Sequence, residues 1–291
     1  MSPAQPGKRR SGSCRHDAMT PELETCMRIA IEEARRSLQE GNDGFGAVVL
    51  GDDGILAQAH DAGATHQDPT AHAEVRAIQK ASSLAGGNLS AFLLLCTHEP
   101  CHECARAILR AGISHVIYGY GAAHPVKQGV DVRVQGGLLR QECAVLYDQA
   151  VREEVKGLRG ASDEQLRELG RQRLSRRLEW YRREKDNLLL GTGDAAERGY
   201  RLLLSKLGIS EAEAPVVHRE KGRVVFHSKN FCPTLEACGI LGLDTRRVCR
   251  LCNEEATDQL VRQLDPRLRF HRNYQRIRPY SECCEERVEL G

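Results

Sequence analysis

The stretch DPTAHAEVRAI, residues 68–78, decides how this chain is interpreted, because it places a histidine and a glutamate two residues apart at a predicted helix start. About thirty residues later, the stretch THEPCHECARAIL, residues 97–109, places two cysteines three residues apart at the start of another predicted helix. Residues three apart on a helix face the same side, so both thiols can reach one ligand. Three metal-binding side chains and one carboxylate therefore gather at two helix N-termini.

The two cysteines, Cys101 and Cys104, are well placed to bind a metal ion. The dipole and the free amide hydrogens of a first helical turn stabilise thiolates, the form of cysteine that binds metals. With His72 they would supply three protein ligands and leave the fourth tetrahedral position to water, as in catalytic zinc sites. Zinc lowers the pKa of such a water to about 7. The sequence therefore predicts one zinc ion on these three residues.

Glu74 is predicted to be the catalytic residue that moves protons. A carboxylate beside a zinc-bound water can take the proton of that water and return it to the attacked ring nitrogen and the leaving amine. H-x-E followed by P-C-x-x-C is the general signature of zinc-dependent base deaminases. A C-x-x-C alone would fit structural zinc or redox chemistry equally well. The two motifs in this order and at this spacing favour hydrolytic deamination.

The composition is that of a globular protein. The chain has 291 residues, 41% of them hydrophobic, and a formal net charge of +2, which gives no global argument for nucleic acid or a membrane surface. No apolar run approaches the ~20 residues of a membrane-spanning helix, and no signal peptide is recognised. We therefore expect a soluble, cytoplasmic protein in which the 12 cysteines serve metal binding or catalysis rather than disulfides.

Helices alternate with strands along the first half of the chain. Thr20 and Pro21 predict the start of a helix that ends at Gly41, and a hairpin turn follows at residues 52–54. We expect further helices near residues 71–83, 101–111 and 138–155, and the continuously apolar runs between them suit strands covered on both faces. This pattern predicts a three-layer α/β/α domain. The predicted organisation is a disordered tail (1–20), a zinc-dependent deaminase domain (21–158), a charged helical linker (159–190) and a mainly helical, cysteine-containing domain (191–291).

Residues 21 to about 155 resemble the cytidine deaminase-like superfamily, nearest to the branch that holds guanine deaminases and tRNA adenosine deaminases. The stretches GFGAVV, DPTAHAEV, EPCHEC and VIYG occur in that family's order and spacing. The resemblance implies zinc on His72, Cys101 and Cys104, with Glu74 as proton shuttle. It also implies a mixed five-stranded sheet between helices and an assembly into a homodimer or a higher oligomer.

One residue departs from the family pattern. Members of this branch carry an asparagine shortly before D-P-T-A-H-A-E, where it holds the base, and the equivalent position here is Asp61. An ionised aspartate accepts hydrogen bonds but cannot donate them, so it would bind a different edge of the ring. Asp61 is therefore a candidate substrate-binding residue, and its alternative is a solvated turn.

The C-terminal region is rich in cysteines. Four such sulfurs could hold a second metal ion or an iron–sulfur cluster, although several could equally be small core residues. The cysteines concerned are Cys232, Cys238, Cys249, Cys252, Cys283 and Cys284.

Two hypotheses on function follow. The first and favoured one is deamination of a small nucleobase, nucleoside or related heterocycle, in the manner of guanine deaminase. The second is a tRNA or RNA adenosine deaminase, or a nucleic-acid-binding protein, in which a basic C-terminal half contacts phosphate. Its arginines would be those of the helix near residues 167–185 and Arg267, Arg269, Arg272, Arg276 and Arg278. The low aromatic content, 4%, weighs against this second hypothesis, because single-stranded binders stack bases on aromatic rings.

Overall fold

A computed structural model of the chain describes residues 20–121 and 132–291. The chain forms two compact units, Met1–Tyr147 and Asp148–Gly291. The boundary between them lies ahead of residue 158, where the sequence-based domain estimate ended. The predicted disordered tail falls on residues 1–20, and all of it except Thr20 lies outside the described residues. In the described part of the chain, no helix is both long and apolar enough to cross a bilayer.

The first unit contains a mixed five-stranded sheet. Its strands are β1 (Gly46–Gly51), β2 (Gly54–His60), β3 (Leu93–His98), β4 (His115–Tyr120) and β5 (Arg133–Gly136). Their order across the sheet is β2-β1-β3-β4-β5. Strand β1 pairs antiparallel with both β2 and β3, whereas β3, β4 and β5 run parallel. The predicted hairpin and mixed sheet are confirmed.

Helices cover both faces of this sheet. The helices of the unit are α1 (Pro21–Glu40), α2 (Gly63–His66), α3 (Ala73–Ala85), α4 (His102–Ala111) and α5 (Arg140–Val145). The core on one face joins residues of α3 and α4 to Val49, Leu94 and Val116. Because side chains alternate along a strand, Val48 and Leu95 point to the opposite face, where α1 packs on β1, β2 and β3. The three-layer α/β/α architecture is thus confirmed.

Helix α1 has the ends that its sequence predicts, and it lies unusually close to the sheet. The Thr20 side chain accepts a hydrogen bond from the Leu23 amide, and Gly41 ends the helix in the left-handed conformation (φ 97°). A Cβ added at Gly46 would lie 1.9 Å from the carbonyl oxygen of Ala30. Only glycine permits this approach, which sets the height of α1 above β1.

The second unit combines helices with a sheet of its own. Its helices are α6 (Gln149–Leu158), α7 (Asp163–Glu184), α8 (Ala195–Leu207), α9 (Pro233–Leu241), α10 (Thr245–Cys249) and α11 (Glu255–Val261), with a 3-10 turn at Lys185–Asn187 and a π-helical turn at Arg250–Glu254. Its strands are β6 (Val216–Glu220), β7 (Arg223–Ser228), β8 (Leu268–Arg272) and β9 (Cys284–Leu290), all antiparallel in the order β6-β7-β9-β8.

Two sequence-based expectations need correction. The tail after β7 is not mostly helical, because residues 268–272 and 284–290 form strands β8 and β9. In β9 the charged residues alternate with Glu286 and Val288, which are buried, so the half-buried strand has little apolar signal. The single helix expected at residues 138–155 is two helices, α5 and α6, and Asp148 caps the second through the amide of Val151.

Candidate active site

His72 is brought to the site by the turn that precedes α3. It is the N-cap residue of that helix, with extended backbone dihedrals (φ −67°, ψ 152°). Its imidazole is half-buried, and the N-cap position directs it away from the helix body. Glu74 occupies the second position of the same helix and is buried. The H-x-E spacing therefore places one ring and one carboxylate on a single helix start.

Cys101 and Cys104 are positioned by the start of α4. Cys101 is the N-cap residue, and its sulfur accepts a hydrogen bond from the Cys104 amide at 3.5 Å. Cys101 is exposed, whereas Cys104, in the first turn, is fully buried. The predicted helix start at residue 101 is one residue early, since α4 begins at His102.

Helices α3 and α4 pack against each other, and this brings the three side chains together. The Nδ1 atom of His72 lies 3.3 Å from the sulfur of Cys104 and 3.5 Å from that of Cys101, and the two sulfurs are 3.5 Å apart. Tetrahedral zinc, with bonds of about 2.3 Å to sulfur and 2.0–2.1 Å to nitrogen, requires ligand–ligand separations of roughly 3.5–3.8 Å. The donor set and the spacing both fit a zinc ion. Of the described residues, these three form the one cluster with metal-ligand spacing.

Glu74 lies beside this cluster without a basic side chain to pair with it. Its carboxyl contacts the Cys104 side chain, and no ion pair joins it to a lysine or arginine in the described part of the chain. Burial raises the pKa of Glu74 above its usual range, while the neighbouring imidazoles of His72 and His98 act in the opposite direction. A carboxyl with a raised pKa, held next to metal ligands, is suited to accept and return a proton.

A cavity of about 580 Å³ opens over the cluster. Its walls include the rings of Phe45, His98 and Tyr120, and Arg140 lies with its guanidinium carbon 5.2 Å from the centre of the Tyr120 ring. Arg140 also donates a hydrogen bond to the Gly121 carbonyl at 3.1 Å. Among the described residues, the cavity thus combines flat aromatic surfaces with the cation of Arg140, next to a potential metal site.

Tyr147 supports these aromatic walls from behind. Its ring stacks on Phe45 and Tyr120 and meets His98 edge-on at 4.8 Å, and its hydroxyl lies 2.7 Å from that of Thr97. Burial raises the pKa of Tyr147 well above its usual value, so the phenol stays neutral. Sequence analysis missed both Tyr147 and Arg140, because neither stands in a motif. Because the chain contains few aromatic residues, the positions of Phe45, Tyr120 and Tyr147 could have drawn attention to this cluster.

The other candidate residues lie in different places. Asp61 is 4% exposed, and its Oδ1 accepts a hydrogen bond from the Gly63 amide at 3.2 Å. It is therefore not a solvated turn residue, and it is not among the described residues that line the cavity. His98 lines the cavity but does not belong to the metal cluster.

The hypothesis of a second metal ion or iron–sulfur cluster is not supported. Within residues 20–121 and 132–291, the C-terminal cysteines form no group with metal-ligand spacing. Cys252 is buried and its thiol donates to the Leu166 carbonyl at 3.2 Å, while Cys238 and Cys249 are also buried. The physical reason is that most of these thiols serve as small core residues of the second unit. The cysteines considered for this hypothesis were Cys232, Cys238, Cys249, Cys252, Cys283 and Cys284.

Known proteins resemble the first unit. The family model of the cytidine and deoxycytidylate deaminase zinc-binding region matches residues 20–120. A tRNA-specific adenosine deaminase of Streptococcus pyogenes serotype M18 (strain MGAS8232) is 35% identical over 131 residues, which cover 40% of this chain and 82% of that protein. A tRNA-specific adenosine deaminase of Aquifex aeolicus (strain VF5) is 34% identical over 93 residues, 32% of this chain and 62% of that protein.

A solved structure of guanine deaminase from Bacillus subtilis is 35% identical, with a TM-score of 0.33, and the match covers 38% of this chain and 71% of that chain. The suspected branch is confirmed by the family match and the streptococcal relative, which is aligned over most of its length. It follows that this chain belongs to the cytidine and deoxycytidylate deaminase family of zinc-binding proteins and is a zinc-dependent hydrolytic deaminase.

Proposed function

We propose that the first unit deaminates an amino-substituted nucleobase, nucleoside or related heterocycle, with one zinc ion held by His72, Cys101 and Cys104 and with Glu74 as the proton shuttle. The observation that carries the proposal is the triangle of ligand atoms with sides of 3.3–3.5 Å beside the unpaired, buried Glu74. A purely structural metal site would gain nothing from a buried carboxylate, which is costly to keep without a partner.

The chain's own residues would divide the work as follows. When bound, zinc would act as a Lewis acid and lower the pKa of the attacking water to about 7. Glu74 would accept one proton of that water and pass it to the ring nitrogen. It would then take the proton of the added hydroxyl and pass it to the amine, which leaves as ammonia while the carbonyl forms. Phe45 and Tyr120 would hold the ring through their aromatic faces, and the surrounding walls would exclude bulk water.

A small substrate is the favoured version of this proposal. The rings that line the cavity suit stacking of one flat heterocycle, and Arg140 is well placed to bind a carbonyl or phosphate oxygen of the same molecule. A direct contact between Asp61 and the substrate remains a prediction, since its Oδ1 already accepts from the Gly63 amide.

Deamination of adenosine in tRNA is the second candidate, and the observation that favours it is the similarity to tRNA-specific adenosine deaminases. Several basic side chains of the second unit, however, are paired with carboxylates of that unit. Arg173 is buried and donates to Glu154 at 2.7 Å, and other partners are the pairs Arg171–Glu168, Arg267–Asp265 and Arg276–Glu285. These pairs reduce the charge that the unit could offer to phosphates.

Ammonia release tests both candidates in one experiment. We would incubate the zinc-loaded full chain with free nucleobases, nucleosides, pterins and tRNA, and measure ammonia together with the zinc content of the same sample. Turnover of a small heterocycle supports the favoured version, whereas turnover of tRNA alone supports the second candidate. Chelator-treated protein should be inactive and should recover with added zinc. Activity that survives complete zinc removal would contradict both.

RNA binding gives an independent measurement. If the chain acts on tRNA, affinity should fall steeply with salt, because phosphate contacts release counterions. No binding at low salt would exclude the second candidate. The homodimer implied by the family resemblance is also a proposal, which light scattering of the purified chain would test.

A further inference from the structure

The second unit contains a cavity of its own, of about 200 Å³. Its walls are apolar and include Leu203, Phe226 and Phe270, which are buried. Leu207 and Phe231 also line it and are half-exposed, at 51% and 52%, so they mark an apolar opening toward solvent. An apolar cavity of about 150 Å³ accommodates benzene in a protein core, so this one has room for a single ring with a small substituent.

The charged residues of this cavity are unbalanced. Four cationic side chains line it, and they face one carboxylate, that of Glu286. The four are Arg177, Lys206, Arg272 and Arg278. Uncompensated charge in an apolar cavity is unfavourable unless something pairs with it.

Both carboxylate oxygens of Glu286 already accept hydrogen bonds from neighbouring side chains. Arg272 donates to its Oε1 through Nε at 2.8 Å, and the Ser228 hydroxyl donates to its Oε2 at 2.6 Å. The Nη1 atom of Arg272 is nevertheless buried without a hydrogen-bond partner, and so is the Nε atom of Arg278. Two guanidinium groups that line the cavity therefore retain donors that nothing in the described structure accepts.

Arg177 has only neutral partners. It donates to the Asn253 carbonyl and to the Thr257 hydroxyl, and no carboxylate pairs with it in the described residues. The pKa of Arg177 is lowered to about 10, chiefly by burial and also by the positive charges of Arg272 and Arg173, while Glu286 acts in the opposite direction. Burial likewise lowers the pKa of Lys206, and the charge of Arg177 adds to this effect.

Two of the three cysteines that line the cavity do not supply a balancing negative charge. Cys232 and Cys249 line it, and burial raises the pKa of the Cys232 thiol and raises that of Cys249 to about 11. Both thiols are therefore neutral at physiological pH. Among the described residues that line the cavity, no second carboxylate supplies the missing negative charge.

We propose that this cavity binds a small organic anion, one ring or a short aliphatic body that carries a carboxylate or a phosphate. The apolar walls would cover the body, and Arg177, Arg272 and Arg278 would hold the charged group. Carboxylates and phosphates are the acceptors that match the planar donors of arginine. The site is separate from the zinc cluster, since every residue that lines it belongs to the second unit.

Calorimetric titration of the full chain with matched probes tests this proposal. The probes are benzoate, phenyl phosphate, the neutral benzyl alcohol and inorganic phosphate. We expect at least one of the two aromatic anions to bind ~10-fold or more tightly than benzyl alcohol, because charged hydrogen bonds add to the burial of the ring. Preference for benzoate or phenyl phosphate would identify the charged group. Equal binding of benzyl alcohol, or no binding of either aromatic anion, would overturn the proposal.

Variants locate the binding site. Arg177→Gln should weaken the preferred anion ~10-fold or more, whereas Arg176→Gln, on the same helix but not lining the cavity, should leave its affinity unchanged. Arg278→Gln provides a second test if the Arg177 variant fails to fold, as judged by its thermal unfolding. Unchanged affinity in both folded variants would also overturn the proposal.

Discussion

The chain contains two C-x-x-C pairs that lie in different structural environments. Cys101 and Cys104 stand at a helix N-terminus, with their sulfurs 3.5 Å apart and His72 completing a metal-ligand triangle. Cys249 ends α10 and lines the cavity of the second unit, whereas the Cys252 thiol donates to a carbonyl of α7. The same spacing therefore gives a metal site in one unit and two core thiols in the other.

The position of each pair on its helix explains the difference. At the start of α4, free amide groups and the helix dipole favour thiolates. Cys252 lies instead within the π-helical turn, inside a continuous helical segment whose amides are mostly bonded. Burial raises the pKa of the Cys249 and Cys252 thiols, but it also raises that of Cys104, so the helix start and the third ligand His72, rather than the thiol pKa, separate the two pairs. A C-x-x-C motif thus predicts a metal site only when its helical position and a third ligand agree.

Removing one sulfur from each pair should give the largest contrast. Cys101→Ala should reduce bound zinc from about one ion per chain to near zero and abolish turnover, because two protein ligands cannot hold the ion. Cys249→Ala should leave both zinc content and turnover unchanged. Elemental analysis and ammonia release of the two purified variants check this. Zinc loss in the Cys249 variant would show that the second pair binds metal after all.

The two units also contain contrasting buried carboxylates. Glu74→Gln should lower kcat by about 10²–10⁴-fold, since the amide cannot move protons, while zinc stays at about one ion per chain. Its free energy of unfolding should fall by less than about 1 kcal/mol, because the neutral amide relieves the cost of burying a charge. Stopped assays and chemical denaturation measure the two effects. Near-normal turnover would refute the shuttle role.

Glu286→Gln should show the opposite behaviour. The change leaves the buried Arg272 charge without its partner, so unfolding should become easier by about 3–5 kcal/mol, while the ammonia-forming activity per folded molecule stays the same. Its neighbour Glu285, whose partner Arg276 is exposed, serves as the control, and Glu285→Gln should cost less than about 1 kcal/mol. Equal destabilisation by both changes would contradict the assignment of a buried ion pair.

The smallest expected effect concerns the thiol of Cys252. Cys252→Ala should lower the free energy of unfolding by about 1–2 kcal/mol, since it removes a buried sulfur and its hydrogen bond to Leu166. Cys284→Ala, at a half-buried position, should change it by less than about 0.5 kcal/mol. Urea denaturation compares the two variants, and a larger loss at Cys284 would reverse our account of which thiol supports the core.

Sequence alone gave the architecture and the metal cluster of the first unit, because both depend on local signals. Thr20, Pro21 and Gly41 act within one turn of the residues they cap, and the two motifs place their side chains at helix starts. Such signals can be recognised in the sequence without knowledge of the tertiary structure.

What sequence could not provide depends on contacts between distant residues. Tyr147 and its contact Thr97 are fifty residues apart in the sequence, and Arg140 lies at the cavity only once the chain has folded. No local sequence pattern therefore predicts either contact. Strands β8 and β9 carry charged residues on their exposed face and pair with each other across a long loop. The alternation of buried and exposed residues along them is therefore hard to recognise in the sequence. The imbalance of charge around Arg177 likewise becomes visible only when helices and strands are assembled.

Cys101 is an exposed residue, whereas Cys104 is fully buried. Peroxides preferentially attack thiolates that solvent can reach, and a sulfenic acid is a poor zinc ligand. If Cys101 holds zinc as proposed, its exposure would make zinc binding depend on the redox state of the surroundings: mild oxidation would stop deamination by releasing zinc, and thiol reductants together with fresh zinc would restore it.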